Sequence, residues 1–585
     1  MLAASTRIIG AQHFVSSADE FHSLTLSAGD EVIWANGTYS DDDNINFSGD
    51  GTASNPITLR AETPGEVVFT GGMTMTIPGD HVVVDGFYWS GGDGRNNHIQ
   101  FRNNTDYANH STIRNCGIND LTASGTDKHR WIVLYGTNNT VENCSFVNKR
   151  SPGALILVEL DYHDAATPVG HTIRNNYFYN YEYRDPESTH SGDSETIRIG
   201  SSSDQAKSAS TVVENNYFQA CDGENEIITN KSTDNSYLHN TFRNCHGSLV
   251  LRHGANARVE GNFFLGENKV GSGGIRVSDS FHTIINNYFQ DLNNADDKWN
   301  NAITLVGGSD ETGGTSNGYQ KVDGILVAFN TVYHCDDPLF YNDRSSYDPT
   351  GVFAYNLLHS TSSDAVGGDI SGTGQGMSYV GNMVSVSDIG ITDPGFAMVS
   401  PGFVADGEIH RPSSSSPVSG AAGSDYSSMV DFDIEGKTRP DSDMDVGAHE
   451  VSGGVGSAAH APHTDDDVRT LVGAGFLNAA GEYVGDSGVG TLSVGSPPEF
   501  PHLAGSVAIS VSCDVVWSAV EEEDWISIAP SSGTGNGSVT ISVTENTSGS
   551  GRSGTITFTT ESLTRSVTVT QSAYVEPVPG PPPSR

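Results

Sequence analysis

The chain has 585 residues, and 72 acidic side chains against 29 Lys and Arg give a formal charge of −43. A surface that acidic repels phosphate backbones and anionic headgroups, which argues against a nucleic-acid partner or an anionic-membrane surface. Only 36% of residues are hydrophobic and 67 are glycine, a composition that fits a loop-rich β protein of two or three domains. No stretch reaches the roughly 20 apolar residues that span a bilayer. Met1-Leu-Ala-Ala-Ser5 has neither the charged start nor the apolar run of an export leader. The expected location is secreted, extracellular or periplasmic, with the leader absent from this chain.

In chain order, the first strand signals are His81-Val-Val-Val-Asp85, Thr112-Ile-Arg-Asn-Cys116 and Thr140-Val-Glu-Asn-Cys144. The pattern then sharpens in Thr172-Ile-Arg-Asn-Asn-Tyr-Phe178, Val212-Val-Glu-Asn-Asn-Tyr-Phe218, Leu238-His-Asn-Thr-Phe242, Val259-Glu-Gly-Asn-Phe-Phe264 and Ile284-Ile-Asn-Asn-Tyr-Phe289. Aligned on Asn176, Asn216, Asn240, Asn262, Asn287, Asn330 and Asn356, the copies recur at intervals of 40, 24, 22, 25, 43 and 26. The short interval is one coil of a right-handed parallel β-helix, and the long ones are loops inserted at a fixed corner. Inward Val, Ile and Phe would form apolar ladders, and each Asn would stack at a turn, bonding the coils above and below. These residues are structural, so chemistry must come from residues that break the repeat. Cys116 with Cys144, and Cys221 with Cys245, hold equivalent repeat positions, as stacked core thiols or as disulfides.

The β-helix is expected over residues 1–450, ending in a degenerate stretch that includes Asp433-Ile-Glu-Gly-Lys-Thr-Arg-Pro440. Residues 451–494 are a linker and connecting segment containing Ser452-Gly-Gly-Val-Gly-Ser-Ala-Ala459. Alternation in Val507-Ala-Ile-Ser-Val511, Ser538-Val-Thr-Ile-Ser-Val543, Gly554-Thr-Ile-Thr-Phe558 and Ser566-Val-Thr-Val-Thr570 predicts a small antiparallel β-sandwich over 495–573, followed by a Pro-rich tail over 574–585. Through Trp517, Trp525-Ile-Ser-Ile-Ala-Pro530, Arg552-Ser-Gly-Thr-Ile556 and Val567-Thr-Val-Thr-Gln571 this segment resembles the BACON domain, an immunoglobulin-like module. The resemblance implies a companion of carbohydrate-active enzymes, a spacer or a second carbohydrate contact.

Charge points to the site. From Lys231 to Arg276 there are six basic residues against three acids, a local excess in an acidic chain. Lys231 and Arg252 each end a short apolar strand 21 residues apart, which places them on adjacent coils about 5 Å apart. Setting Ser194-Glu-Thr-Ile-Arg-Ile-Gly200 over Asn225-Glu-Ile-Ile-Thr-Asn-Lys231 at a shift of 31 stacks Asp193 on Glu224 and Glu195 on Glu226. Four facing carboxylates call for a hard cation with oxygen ligands, Ca²⁺. Cations and a metal together suit β-elimination in a uronic-acid polymer, where the carboxylate beside C5 must be neutralised before its proton can leave. Strand alternation places Glu224, Glu226 and Ile228 in one phase and Lys231 in the other, which requires a bulge between Ile228 and Lys231.

Glu224-Asn-Glu-Ile-Ile-Thr-Asn-Lys-Ser232, Leu251-Arg-His-Gly254, Gly274-Ile-Arg-Val277 and Glu195-Thr-Ile-Arg-Ile-Gly200 resemble polysaccharide lyase family six, the alginate lyases and chondroitinase B. The resemblance covers about residues 5–450. It implies Lys231 as Brønsted base, Arg252 as acid, His253 and Arg276 as substrate contacts, and Glu224 and Glu226 as calcium ligands. The family's further ligand is an Asn of the preceding coil; this chain offers Asp193 or Glu195. Arg198, Tyr341 and Arg344 are candidates to extend the groove. The leading expectation is an alginate lyase acting endolytically by Ca²⁺-assisted β-elimination. The alternatives are a dermatan sulfate lyase and a non-catalytic polysaccharide-binding β-helix.

Overall fold

The computed structural model describes residues 10–122, 128–164, 167–182, 193–294, 298–342, 344, 347–369, 376–440, 442–451, 460–468, 476–477, 483–484, 492–494, 497, 499–513, 516–521, 523–534, 537–560 and 564–574. Ser452–Ala459 and the Pro-rich tail from residue 575 onward lie outside the described residues. The chain forms two compact units, Met1–Val484 and Gly485–Arg585.

In the first unit each coil gives one short strand to each of three parallel sheets. One sheet has 14 strands from Gln12–Val15 to Met377–Val380, a second has 12 from Asn44–Asn46 to Val366–Gly368, and a third has 14 from Gly37–Tyr39 to Phe396–Met398. Thr172–Arg174, Tyr177–Tyr181 and Ile197–Ile199, for example, pair in parallel with Val212–Glu214, Tyr217–Cys221 and Glu226–Lys231 of the next coil. Parallel strands joined by crossovers wind right-handed, and the result is a right-handed parallel β-helix.

Its regularity comes from one corner. The residue before each ladder Asn is left-handed, with φ 55 at Asn175, 53 at Asn215 and 54 at His239. Asn tolerates that conformation better than most side chains, and it turns the chain sharply. The following Asn points inward, where Asn176 Nδ2 donates to Asn216 Oδ1 at 3.0 Å, and the same bond recurs coil by coil as far as Asn382. Each of these side chains is fully buried, and the amides satisfy one another where water cannot reach. Beside them Phe178, Phe218, Phe242, Phe264 and Phe289 stack with ring centroids 4.7–4.8 Å apart. All six cysteines are buried; Cys116, Cys144, Cys221 and Cys245 are free thiols, and Cys221 N donates to Cys245 Sγ, so the equivalent cysteines are stacked thiols.

The second unit holds two four-stranded antiparallel sheets. Gly505–Cys513, Gly537–Val543, Arg552–Thr559 and Thr564–Gln571 contain the four alternating segments, and Trp517, Ile541, Phe558 and Val569 are buried in the core. This is the expected sandwich. Among the described residues no helix is long and apolar enough to cross a membrane.

Candidate active site

The 12-stranded sheet builds the site. Its rows read Ile197, Ile228, Leu249, Ile275, Ile303 and Leu339 facing the core, then Arg198, Thr229, Val250, Arg276 and Thr304, then Ile199, Asn230, Leu251, Val277, Leu305 and Tyr341 facing the core again. Two register shifts interrupt the pairing of Glu226–Lys231 with Gly247–His253, one between Glu226 and Ile228 and one between Asn230 and Lys231. The second is the expected bulge. It is held by Asn230, a polar side chain in an otherwise apolar row, whose Nδ2 donates to the carbonyls of Ser232 and His253. Its Oδ1 accepts from Asn235 Nδ2 and the Tyr237 hydroxyl, so the buried amide is satisfied while the chain turns Lys231 outward.

Outside this sheet lies a cavity of about 590 Å³ lined by Lys231, Arg252, Arg276, Asp193, Glu195, Glu224 and Glu226, together with Lys128, Asn225, Trp299, Asn317, Tyr319 and Arg344. Five cations therefore share it with four carboxylates. Glu226 Oε1 pairs with Arg276 Nη2 at 2.6 Å and its Oε2 accepts from Thr229 Oγ1 at 2.6 Å. Burial acts to raise Glu226, but Arg276 and Lys231 outweigh it and hold the carboxyl below its usual range. Glu224 goes the other way, pushed up to about 9 by burial and by Glu195 and Glu226 beside it. Arg252 has carbonyl acceptors on Gly318 and Asn317 at 2.6 and 2.8 Å and the Tyr319 ring 3.9 Å from its Cζ. Lys231 has no ion-pair partner among the described residues, although its charge acts on Glu224 and Glu226.

The donor set accepts a cation in part. Glu195 is buried and its Oε2 has no hydrogen-bond partner among the described residues, and the crowding at Glu224 is what a bound divalent ion would relieve. Asp193, however, pairs with both Lys128 and Arg198, so its charge is already met. Among the described residues, the one set of three acidic groups whose oxygens all lie within 4.8 Å of one another is elsewhere, at Glu159, Asp161 and Asp204. There Lys207 Nζ sits 2.9 Å from Asp204 Oδ1 and supplies the counter-charge.

Of the residues singled out in the sequence, the cavity gathers Lys231, Arg252, Arg276, Glu224, Glu226, Asp193, Glu195 and Arg344. Arg198 stands beside it through Asp193. His253, expected to contact substrate, is instead fully buried behind the cavity and is not among its lining; its Nδ1 is on Gln320 Oε1, and burial together with Arg252 lowers its imidazole to about 4. Tyr341 corrects the sequence reading. It falls in a core-facing row, is 3% exposed, and its hydroxyl meets that of Tyr379 at 2.6 Å inside the β-helix. Lys128, Asn225, Trp299, Asn317 and Tyr319 were not found from sequence. The signal for three of them was the 43-residue interval between Asn287 and Asn330, an insertion that carries Trp299, Asn317 and Tyr319.

Fold and cavity together define a parallel β-helix protein with a mixed-charge groove on one sheet. Family comparison sharpens that class: residues 15–361 match the chondroitinase B model, and the chain belongs to that family. Residues 515–572 match the BACON model, described as a putative binding domain. Among solved structures, the chain is similar to the family 6 alginate lyase AlyGC, at 28% identity and a TM-score of 0.60 over 68% of this chain and 54% of that one. It is similar to a mannuronic acid specific family 6 lyase from human gut microbiota at 28% identity and a TM-score of 0.58, over 68% and 92%. A family 6 polysaccharide lyase from Pseudopedobacter saltans, at 24% identity and a TM-score of 0.53 over 65% and 94%, shares the fold. The chain spans about half the length of the AlyGC structures. Comparison with curated protein sequences gives no match.

Proposed function

We propose that the protein is a secreted polysaccharide lyase that cleaves alginate endolytically by β-elimination. The observation that carries this reading is the placement of Lys231 and Arg252 on adjacent strands of one groove, with the Glu195, Glu224 and Glu226 carboxylates in the same cavity. Lys231, acting in its neutral amine form, takes the C5 proton of a bound uronate and becomes the ammonium, the C4–C5 double bond forms, the bond from C4 to the leaving oxygen breaks, and Arg252 supplies a proton to that oxygen. Arg276 and Arg198 hold substrate carboxylates, and His253 supports the strand end that carries Arg252. Glu195, Glu224 and Glu226 would hold a Ca²⁺, with Asp193 beside them; when bound, it would neutralise the uronate carboxylate.

We assign the lyase to residues 1–450, the connection to 451–494 and the sandwich to 495–573, the last as a spacer or second carbohydrate contact. The similarity to alginate lyases at 28% identity supports the substrate. A dermatan sulfate lyase is the second reading, favoured by the chondroitinase B match and by the five cations in the cavity, which could also hold sulfate.

The test is ultraviolet absorbance of unsaturated uronate ends on adding alginate or dermatan sulfate, with and without a chelator. Signal on alginate that the chelator removes and Ca²⁺ restores is expected. Signal on dermatan sulfate alone would move the assignment to the second reading, and silence on both would leave a binding protein.

A further inference from the structure

Arg252 is buried and has no carboxylate partner among the described residues, so something else must fix its plane. That something is the insertion over residues 307–322, which follows the strand Ile303–Val306 and precedes Ile325–Ala328. The guanidinium gives one N–H from each terminal nitrogen to the carbonyls of consecutive residues, Gly318 and Asn317, which stops it rotating in its plane. The Tyr319 ring covers its face at 3.9 Å, which stops it tilting.

The insertion is itself anchored to earlier coils. Ser202 Oγ donates to Asn317 Oδ1 at 2.7 Å, Gln205 Nε2 donates to the Ser316 carbonyl at 2.6 Å, and Thr312 Oγ1 donates to Asp279 Oδ1 at 2.7 Å. Gln320 meets His253, the neighbour of Arg252 in sequence, so both ends of the Arg252-His253 pair are held by the same segment. The arrangement costs several ordered polar contacts in a loop, and its product is one cation with a set direction.

We propose that Tyr319, with the backbone of residues 317–318, is the positioning residue for Arg252. This rests on the lyase reading above, in which Arg252 protonates the leaving oxygen. The interaction acts through orientation, so its loss should fall on the chemical step rather than on substrate binding.

The experiment compares steady-state kinetics and thermal midpoints of the full chain carrying Tyr319→Phe, Tyr319→Leu, Arg252→Lys, and the Tyr319→Leu/Arg252→Lys pair. Phe keeps the ring face and should keep kcat within about twofold, whereas Leu keeps the bulk without the π face and should lower kcat about tenfold with KM nearly unchanged. In the Arg252→Lys background, where the fork is already gone, Tyr319→Leu should cost little more. A Leu variant with unchanged kcat, a rise in KM alone, or full additivity in the double variant would each overturn the proposal. If the unmodified protein forms no unsaturated product from any polyuronate, the lyase reading fails and this inference fails with it.

Discussion

The Asn corner and the groove sheet are built from the same coils and solve opposite problems. Along Asn176, Asn216, Asn240 and Asn262 each coil repeats its neighbour, and every amide meets the next at about 3.0 Å. Across Glu226–Lys231, Gly247–His253 and Ser272–Val277 the register slips at several points, and the cavity side carries cations and carboxylates with valences to spare. The difference teaches where each kind of residue can act. A ladder whose polar atoms are all spent on one another has nothing left for a ligand, while a sheet beside which, among the described residues, a Glu195 oxygen and Lys231 have no partner does.

The strongest way to break that comparison is to remove one residue from each region. Lys231→Ala should lower kcat by about 10²- to 10⁴-fold, the usual range for a general base, and leave the thermal midpoint within a degree or two. Retained turnover in the absorbance assay would refute its role. Asn262→Ala should do the reverse. It strands the backbone and side-chain N–H groups of Asn240, which donate to Asn262 Oδ1 at 2.9 and 3.0 Å. Two orphaned buried donors cost about 3 kcal/mol together, read as a lower urea midpoint, with kcat per folded molecule unchanged.

How much of this was legible follows from what each region repeats. The corner could be read because Asn and aromatic residues return at one-coil intervals, although the reading stopped at Asn356 and missed Asn382, a further 26 residues on. Lys231, Arg252, Glu224 and Glu226 stood out because they break an otherwise apolar pattern, and the phase conflict between Ile228 and Lys231 called for a bulge that the register shift at Asn230 supplies. Trp299 and Tyr319 sit in an insertion with no period to align them. Lys128 is brought in through Asp193, a contact across 65 positions that no spacing encodes. Tyr341 was misread because the inward or outward sense of a residue in a short strand such as Leu339–Asn342 is fixed only by its pairing, here with Leu305.

Acid should probe the satisfied interior on a smaller scale. His171 and His282, buried in the first unit, accept backbone N–H groups from Asn139 and Ala257 on Nδ1, each at 3.1 Å. Burial lowers them to about 3 and about 4 from 6.5. The unfolded chain takes up these protons first as the pH falls, so the stabilisation is complete above about 6.5 and is lost as the pH drops toward 4. Each histidine contributes a slope on the order of 1 kcal/mol per pH unit across that window. Urea midpoints between pH 7 and 5 should fall, and His282→Gln should flatten the slope; a slope unchanged by that substitution would mean other groups set it.

Tyr341→Phe makes the finest cut, because it tests the boundary between core and groove on a single row. The hydroxyl contacts Tyr379 inside the β-helix, and its removal leaves that hydroxyl without its partner at a cost of about 1 kcal/mol. The expected result is a slightly lower urea midpoint with kcat and KM on alginate unchanged. Glu226 and Arg276, by contrast, pair at 2.6 Å on the cavity side, and Arg276→Gln should move KM. If Tyr341→Phe raised KM while the midpoint stayed fixed, the row through Leu305 would not face the core. The separation between a satisfied interior and a receptive sheet would then be drawn one row too far inward.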